Sequence, residues 1–356
     1  MMKRFTQKVV QLILMLLVMG NLSAYAEGFA QFKVRDMALI YQGGNKRIDW
    51  TMQQFAPYVS HTFANGKTEW TFDSFLFLDY EDGLESTFIP QVGKKKATKV
   101  EWEWYLNRIF ENGKSLSALD ACVDSLSKKI GKPGFRHKIV LSLPTPLAGA
   151  DWGMLDGKNL DFNNLEDQAK AANWFVNQLV SRFKAARYRH LDLMGIYWID
   201  EDMCHTKDVC KLIAPYVHKK KLSFVWIPYF KARGSERWKE LGFDMVYYQP
   251  NCFFNKAIPE SRIDEACDIA SNLDMAMEFE CDRTAIFGPE NNSYDRMQAY
   301  IDAFKRKGVW EKSSVAYYTG SHYLIDVQDY HDAENQKIVD ELMQIIVDRR
   351  HKGLKK

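Results

Sequence analysis

The chain has 356 residues, a formal net charge of +2, 46% hydrophobic and 14% aromatic residues, and six cysteines. A charge this close to zero gives no reason to expect a nucleic-acid or anionic-membrane partner. Six cysteines are too few for a disulfide scaffold, and a chain of this size buries a sizeable core.

The first residues read as an export leader. Lys3, Arg4 and Lys8 precede a short apolar core, Val9 to Gly20, and Ala24-Tyr25-Ala26 gives a small-x-small cleavage pattern. The apolar core is shorter than the roughly 20 residues of a spanning helix. Residues 1–26 are therefore expected to be removed, leaving an exported chain from Glu27 with no integral membrane segment and residues 27–356 as one domain. Without the three leader cations the balance is about one unit negative. Lys94-Lys95-Lys96 reads as a solvated loop.

From Glu27 onward, short apolar runs alternate with amphipathic stretches. Strands are expected at Met37–Tyr41, Asp73–Tyr80, Lys138–Leu143, 190–200, Leu222–Tyr229, Phe243–Gln249, Asp274–Cys281 and Ser314–Thr319. Helices are expected at Asp49–Tyr58, Lys99–Glu111, Ser115–Ile130, 165–186, 207–220, Ile263–Ser271, 293–307 and 333–349, with a short one around Trp238. Runs that are apolar at nearly every position suit strands buried on both faces. Eight such units predict a parallel α/β fold, a closed (β/α)8 TIM-type barrel. An open doubly wound sheet is the competitor, but no Gly-rich phosphate turn follows the first strand.

In a barrel the strand ends gather at one mouth. There the sequence places Tyr41, Gln42, Asp79, Tyr80, Thr145, Asp200 to Asp202, Trp226, Tyr229, Tyr248, Gln249, Asn251, Glu278, Glu280, Asp282, Tyr317, Tyr318 and His322. Trp152 is added from the loop after the third strand. No nucleophile elbow, H-E-x-x-H or P-loop occurs. Aromatics beside carboxylates and amides suit sugars, which present C–H faces to stack and hydroxyls to bond. Each aromatic taken alone is equally well explained by packing.

Two acidic clusters stand out, Asp200-Glu201-Asp202 and Glu278 with Glu280. Strand alternation turns Glu278 and Glu280 to the same side, with Met277, Phe279 and Cys281 toward the helices. Glycoside hydrolysis commonly uses two carboxyl groups flanking the bond. Chain reach favours Glu201 as acid/base and Glu280 as its partner, with Glu278 shaping charge or holding a hydroxyl. Asp79, Tyr80, Trp152, Asp200, Trp226, Tyr248, Gln249, Asn251 and Tyr318 are the expected substrate contacts. Bland roles compete: a helix cap for Asp200 or Asp202, and an Arg283 salt bridge for either strand glutamate.

The carboxylates after strands four and seven resemble the arrangement of the large barrel-fold clan of retaining glycosidases. The clan's Asn-Glu pair is here Asp200-Glu201. The segments G-I-Y-W-I-D-E-D and M-E-F-E-C-D resemble a bacterial secreted family, domain of unknown function 4855, over most of the chain after the leader. That resemblance implies a barrel with glycosidase-like features and no fixed substrate. A carbohydrate is the expected partner, and no cofactor is expected. The competing classes are a non-catalytic sugar-binding barrel and a metal-dependent hydrolase using Asp79, Asp200 and Glu280. Cys204 and Cys210 are read as a bridge or two free thiols ahead of a metal pair.

Overall fold

The computed structural model describes residues 34–42, 47–92, 94–288, 293–320 and 322–353. The expected leader lies outside the described residues. Eight parallel strands close a barrel: β1 (Asp36–Tyr41), β2 (Ser74–Leu78), β3 (His137–Leu143), β4 (Leu191–Trp198), β5 (Ser223–Trp226), β6 (Met245–Tyr248), β7 (Ala276–Glu280) and β8 (Val315–Tyr318). Each pairs with its sequence neighbour, and β8 returns to β1 through Asp36↔Val315. The (β/α)8 architecture expected from the alternating runs is the one observed.

The longer helices are α1 (Met52–Val59), α2 (Lys99–Ile109), α3 (Ser115–Ile130), α4 (Leu165–Ala186), α5 (Lys207–Lys219), α6 (Ser261–Asn272), α7 (Tyr294–Lys307) and α8 (Ala333–Gly353), with single turns at Val309–Lys312 and Tyr323–Asp326. Local signals set their starts. Thr98 and Glu101 form a reciprocal cap on α2, and the Asn164 side chain accepts from the backbone of Glu166 and Asp167 at α4. Between β5 and β6 the connection carries only a 3-10 turn, Ser235–Arg237. A surface depression of about 660 Å³, lined by Met203, Arg233, Leu241 and Ile269 among others, flanks this connection. No described helix is long and apolar enough to cross a membrane.

Two apolar layers follow from strand alternation. Leu39, Leu76, Val140, Tyr197, Val225, Tyr247 and Ala316 fill the barrel. Ile40, Phe77, Leu141, Trp198, Trp226 and Phe279 pack outward under the helices. Strands β5 to β8 are four or five residues long, shorter than expected at both ends.

One irregularity decides which acid faces inward. In β4, Leu193 pairs with Ile139 but Gly195, not Met194, pairs with Val140, so one residue is extra. Leu193 lies against the helix layer, whereas Tyr197 and Ile199 enter the barrel. The bulge thus turns the odd positions beyond it inward, and Glu201 with them. Gly195 sits where a Cβ would lie 2.8 Å from the Ser223 carbonyl oxygen, which is backbone and has little freedom to move. Gly195→Ala is expected to destabilise the fold by about 1–3 kcal/mol in urea unfolding, because the crowded β4–β5 pair must open.

Candidate active site

At the C-terminal mouth a cavity of about 170 Å³ is lined by Tyr41, Tyr80, Tyr197, Glu201, Gln249, Asn251, Phe254, Glu278, Glu280 and Tyr318, over Leu39 and Ile227. Eight of the strand-end residues expected at the mouth therefore meet: Tyr41, Tyr80, Glu201, Gln249, Asn251, Glu278, Glu280 and Tyr318.

A chain of hydroxyls leads to the first carboxylate. Tyr41 Oη donates to Tyr80 Oη at 3.0 Å, and Tyr80 Oη donates to Glu201 Oε1 at 2.9 Å. Gln249, anchored by its Nε2 to the Ile227 carbonyl at 2.9 Å, also favours the charged form of Glu201. Burial outweighs these donors and raises the Glu201 pKa above the ordinary glutamate value.

Glu280 accepts from Tyr300 Oη and from the Cys252 backbone N–H at 3.3 Å. Burial nevertheless pushes it up to about 7. Glu278 lies one strand repeat deeper. Burial and the neighbouring carboxyls of Glu280 and Glu201 drive its pKa well above normal, and no hydrogen bond among the described residues favours its charge. The proposed Arg283 salt bridge is not formed, and no cation is among the leading influences on any of the three acids.

Helix α7 supplies the support. Arg296 and Tyr300 lie one turn apart on its buried face. Arg296 donates to the carbonyls of Cys252, Lys256 and Ile258, which holds the loop bearing Asn251 and Phe254. Tyr300 holds Glu280. Asn251 adopts φ 47°, accepts from Phe230 N at 2.8 Å and donates to Gln249 at 3.2 Å. The sequence reading did not single out Arg296, Tyr300, Tyr197 or Phe254. The only signal was a polar pair at helical spacing on an otherwise apolar face of α7.

Five expected contacts are corrected. Asp79 follows Phe75 and Phe77 on the helix side and lies near Tyr105 of α2. Asp200 accepts from Gln91 at 2.8 Å and Thr206 at 2.7 Å, so it braces the loop before α5. Trp226 stacks on Phe243 and donates its indole N–H to the Asp200 carbonyl at 2.7 Å. Tyr248 also faces outward, and its hydroxyl accepts from Lys231 N. Trp152 is stacked on Phe162 and meets Trp102 and Trp174 edge-on, away from the mouth. Strand parity decides four of these: residues an odd number of steps from an inward neighbour face the helices.

The same parity separates the metal trio, since Asp79 and Asp200 turn from the cavity that Glu280 lines. Among the described residues no three His, Cys, Asp or Glu side chains cluster as a metal site. Asp202 is bound by Arg233, at 2.9 Å, and Tyr229, at 2.7 Å. Cys204 and Cys210 are free thiols.

Fold and site define a parallel (β/α)8 barrel with a glutamate- and tyrosine-lined cavity at its C-terminal mouth. The chain belongs to the family described as domain of unknown function (DUF4855), whose model matches residues 36–344. No curated protein matches it. Similar solved structures include the catalytic domain of a family GH18 chitinase from the fern Peteris ryukyuensis, at 11% identity and TM-score 0.44, covering 87% of this chain and 99% of that one. Another is a putative alpha-L-fucosidase from Bacteroides thetaiotaomicron, at 11% identity and TM-score 0.45, covering 88% and 94%. The carboxyl transferase domain of Rhizobium etli pyruvate carboxylase matches at 9% identity and TM-score 0.42, covering 92% of this chain. The present chain spans about half the length of that carboxylase chain (49%). No activity is transferred from any of them.

Proposed function

We propose that this barrel is an exported glycoside hydrolase acting on an oligo- or polysaccharide, with Glu201 and Glu280 as its working pair. The observation that carries the reading is a trio of glutamates lining the barrel mouth, Glu278 and Glu280 buried and Glu201 half-buried, with no cation among the described residues as a leading influence on any of them. Such an arrangement is costly unless the acids are used. Tyrosine faces and amide groups around them offer the stacking and hydrogen bonding that sugar rings require.

The proton affinities favour a division of labour opposite to the one suggested by chain reach. Glu280, raised to about 7, keeps its proton in mildly acid solution and gives it to the leaving oxygen. Glu201, whose charged form the Tyr80 and Gln249 donors favour, carries the negative charge and serves the anomeric carbon, directly or through a water. Glu278 stays neutral and holds a substrate hydroxyl.

The test is a pH–rate profile with hydrolysable glycans. It is expected to be bell-shaped, active below about pH 7 and falling as Glu280 loses its proton above it. Tyr300→Phe removes a donor that favours the Glu280 carboxylate, so the alkaline limb moves up. Tyr80→Phe does the same to Glu201, so the acid limb moves up and the bell narrows. Sugar binding without turnover across the whole profile would sink the hydrolase reading in favour of a binding barrel. Activity abolished by a chelator would instead move the reading to metal-assisted hydrolysis.

A further inference from the structure

We propose that the cavity is a terminal-sugar pocket, which takes one uncharged pyranose from a chain end and excludes anionic sugars. This rests on the hydrolase reading above and adds to it the mode of attack and the substrate class.

Size comes first. The cavity holds about 170 Å³. Ligand pockets for larger molecules begin at about 300 Å³. Below that floor, the space suits one sugar ring and not two.

The walls also close it. Tyr41 meets Tyr80 edge-on at 5.4 Å and Tyr318 edge-on at 5.6 Å. Phe254 continues this wall, edge-on to Tyr318 at 5.5 Å. The Tyr41–Tyr80–Glu201 hydrogen bonds carry the same rim onward from the ends of β1 and β2 to that of β4. A polymer threaded through the site would need two openings, and the continuous rim from Phe254 through Tyr318, Tyr41 and Tyr80 to Glu201 closes one side. A chain end entering from the mouth needs only one opening. Phe254 is 55% exposed, so its outer face is free to receive the next sugar of the chain.

Charge then selects the ring. Glu278 is 3% exposed, lines the cavity, and has no hydrogen-bond partner among the described residues. Its open valences demand a ligand hydroxyl. In the working form Glu278 and Glu280 hold their protons and Glu201 carries the negative charge. Among the described residues no cation is a leading influence on any of the three, so a sugar carboxylate meets that charge unbalanced and uronic and sialic residues are repelled.

The experiment uses the full chain against 4-nitrophenyl glycosides of neutral hexoses, pentoses, deoxyhexoses and glucuronic acid. A series of linear oligosaccharides, with the non-reducing end free or blocked, accompanies them. The expected result is release of one sugar at a time from free ends, no cleavage of blocked chains, and at least a 100-fold preference for a neutral glycoside over the glucuronide. Intermediate-length products at the earliest times, cleavage of blocked chains, or a preferred glucuronide would overturn the proposal while leaving the hydrolase reading intact. If no probe is cleaved, the hydrolase reading fails by itself, and calorimetry on Glu201→Gln decides the pocket separately. One-to-one binding of a neutral monosaccharide there supports a single-ring site; binding only of longer chains overturns it.

Discussion

Glu280→Gln is expected to lower kcat by about 10²–10⁴-fold while making the protein more stable at neutral pH. The amide keeps the shape and the hydrogen bond from Tyr300, but it has no proton of suitable acidity for a leaving oxygen. Its effect on stability follows from the same buried site. In the folded protein Glu280 holds its proton up to about 7, whereas the unfolded chain releases it near the ordinary value of 4.5. Between those pH values the folded state binds more protons, so stability declines as pH rises. The loss is absent below about pH 4 and, at ~1.4 kcal/mol per pKa unit, amounts to about 3 kcal/mol once the pH passes 7. Gln removes this loss because it does not titrate. Thermal unfolding from pH 4 to 8 checks the second half, with a flatter curve expected for the variant. An inactive variant no more stable than the parent at pH 7.5 would mean that Glu280 is not held neutral by burial. A fully active variant would remove Glu280 from the reaction.

The eightfold rhythm was legible because strands covered on both faces are written as unbroken apolar runs, and the eight longer helices follow from local pattern, whereas the single turns at Val309–Lys312 and Tyr323–Asp326 were not foreseen. That same uniformity hides which face each residue takes. Trp226 and Tyr248 look like mouth aromatics in the sequence, yet alternation sends them under the helices. Tyr197 sits inside an apolar run and nevertheless lines the cavity. Glu278 and Glu280 could be oriented together because β7 keeps an unbroken register with β8, whereas the orientation of Glu201 depends on the extra residue at Met194. A bulge leaves no fixed pattern in the letters. Trp152 immediately precedes a hairpin, Gly153–Leu155 with Lys158–Leu160, and its packing against α2 and α4 is purely tertiary. Arg296 and Tyr300 reach the site across a packed helix, and contacts of that kind are not encoded by spacing.

At the opposite end of the barrel, Arg349→Met is expected to cost about 3–5 kcal/mol in denaturant unfolding while leaving turnover per folded molecule unchanged. Arg349, on α8, is buried and pairs with Asp36 at the start of β1, Nε to Oδ1 at 2.9 Å. Its remaining N–H groups reach the carbonyls of Arg35 at 3.0 Å, Ser313 at 2.9 Å, and Val309 and Trp310. Tyr317 on β8 donates to the same Asp36 carboxylate at 2.6 Å. One guanidinium therefore joins the last helix, the first strand and the segment leading into the last strand, which is where the barrel closes. Methionine fills the volume but abandons several buried carbonyls and leaves Asp36 with Tyr317 as its neutral donor. Asp36→Asn in the same chain removes the unpaired charge, so the double variant should recover part of the loss. Additive losses in the double variant would mean that Arg349 acts through its carbonyl contacts and not through Asp36. Because this closure lies at the strand starts and Glu201 and Glu280 lie at or beyond the strand ends, a fall in kcat at full folding would show that the two ends of the barrel are mechanically coupled.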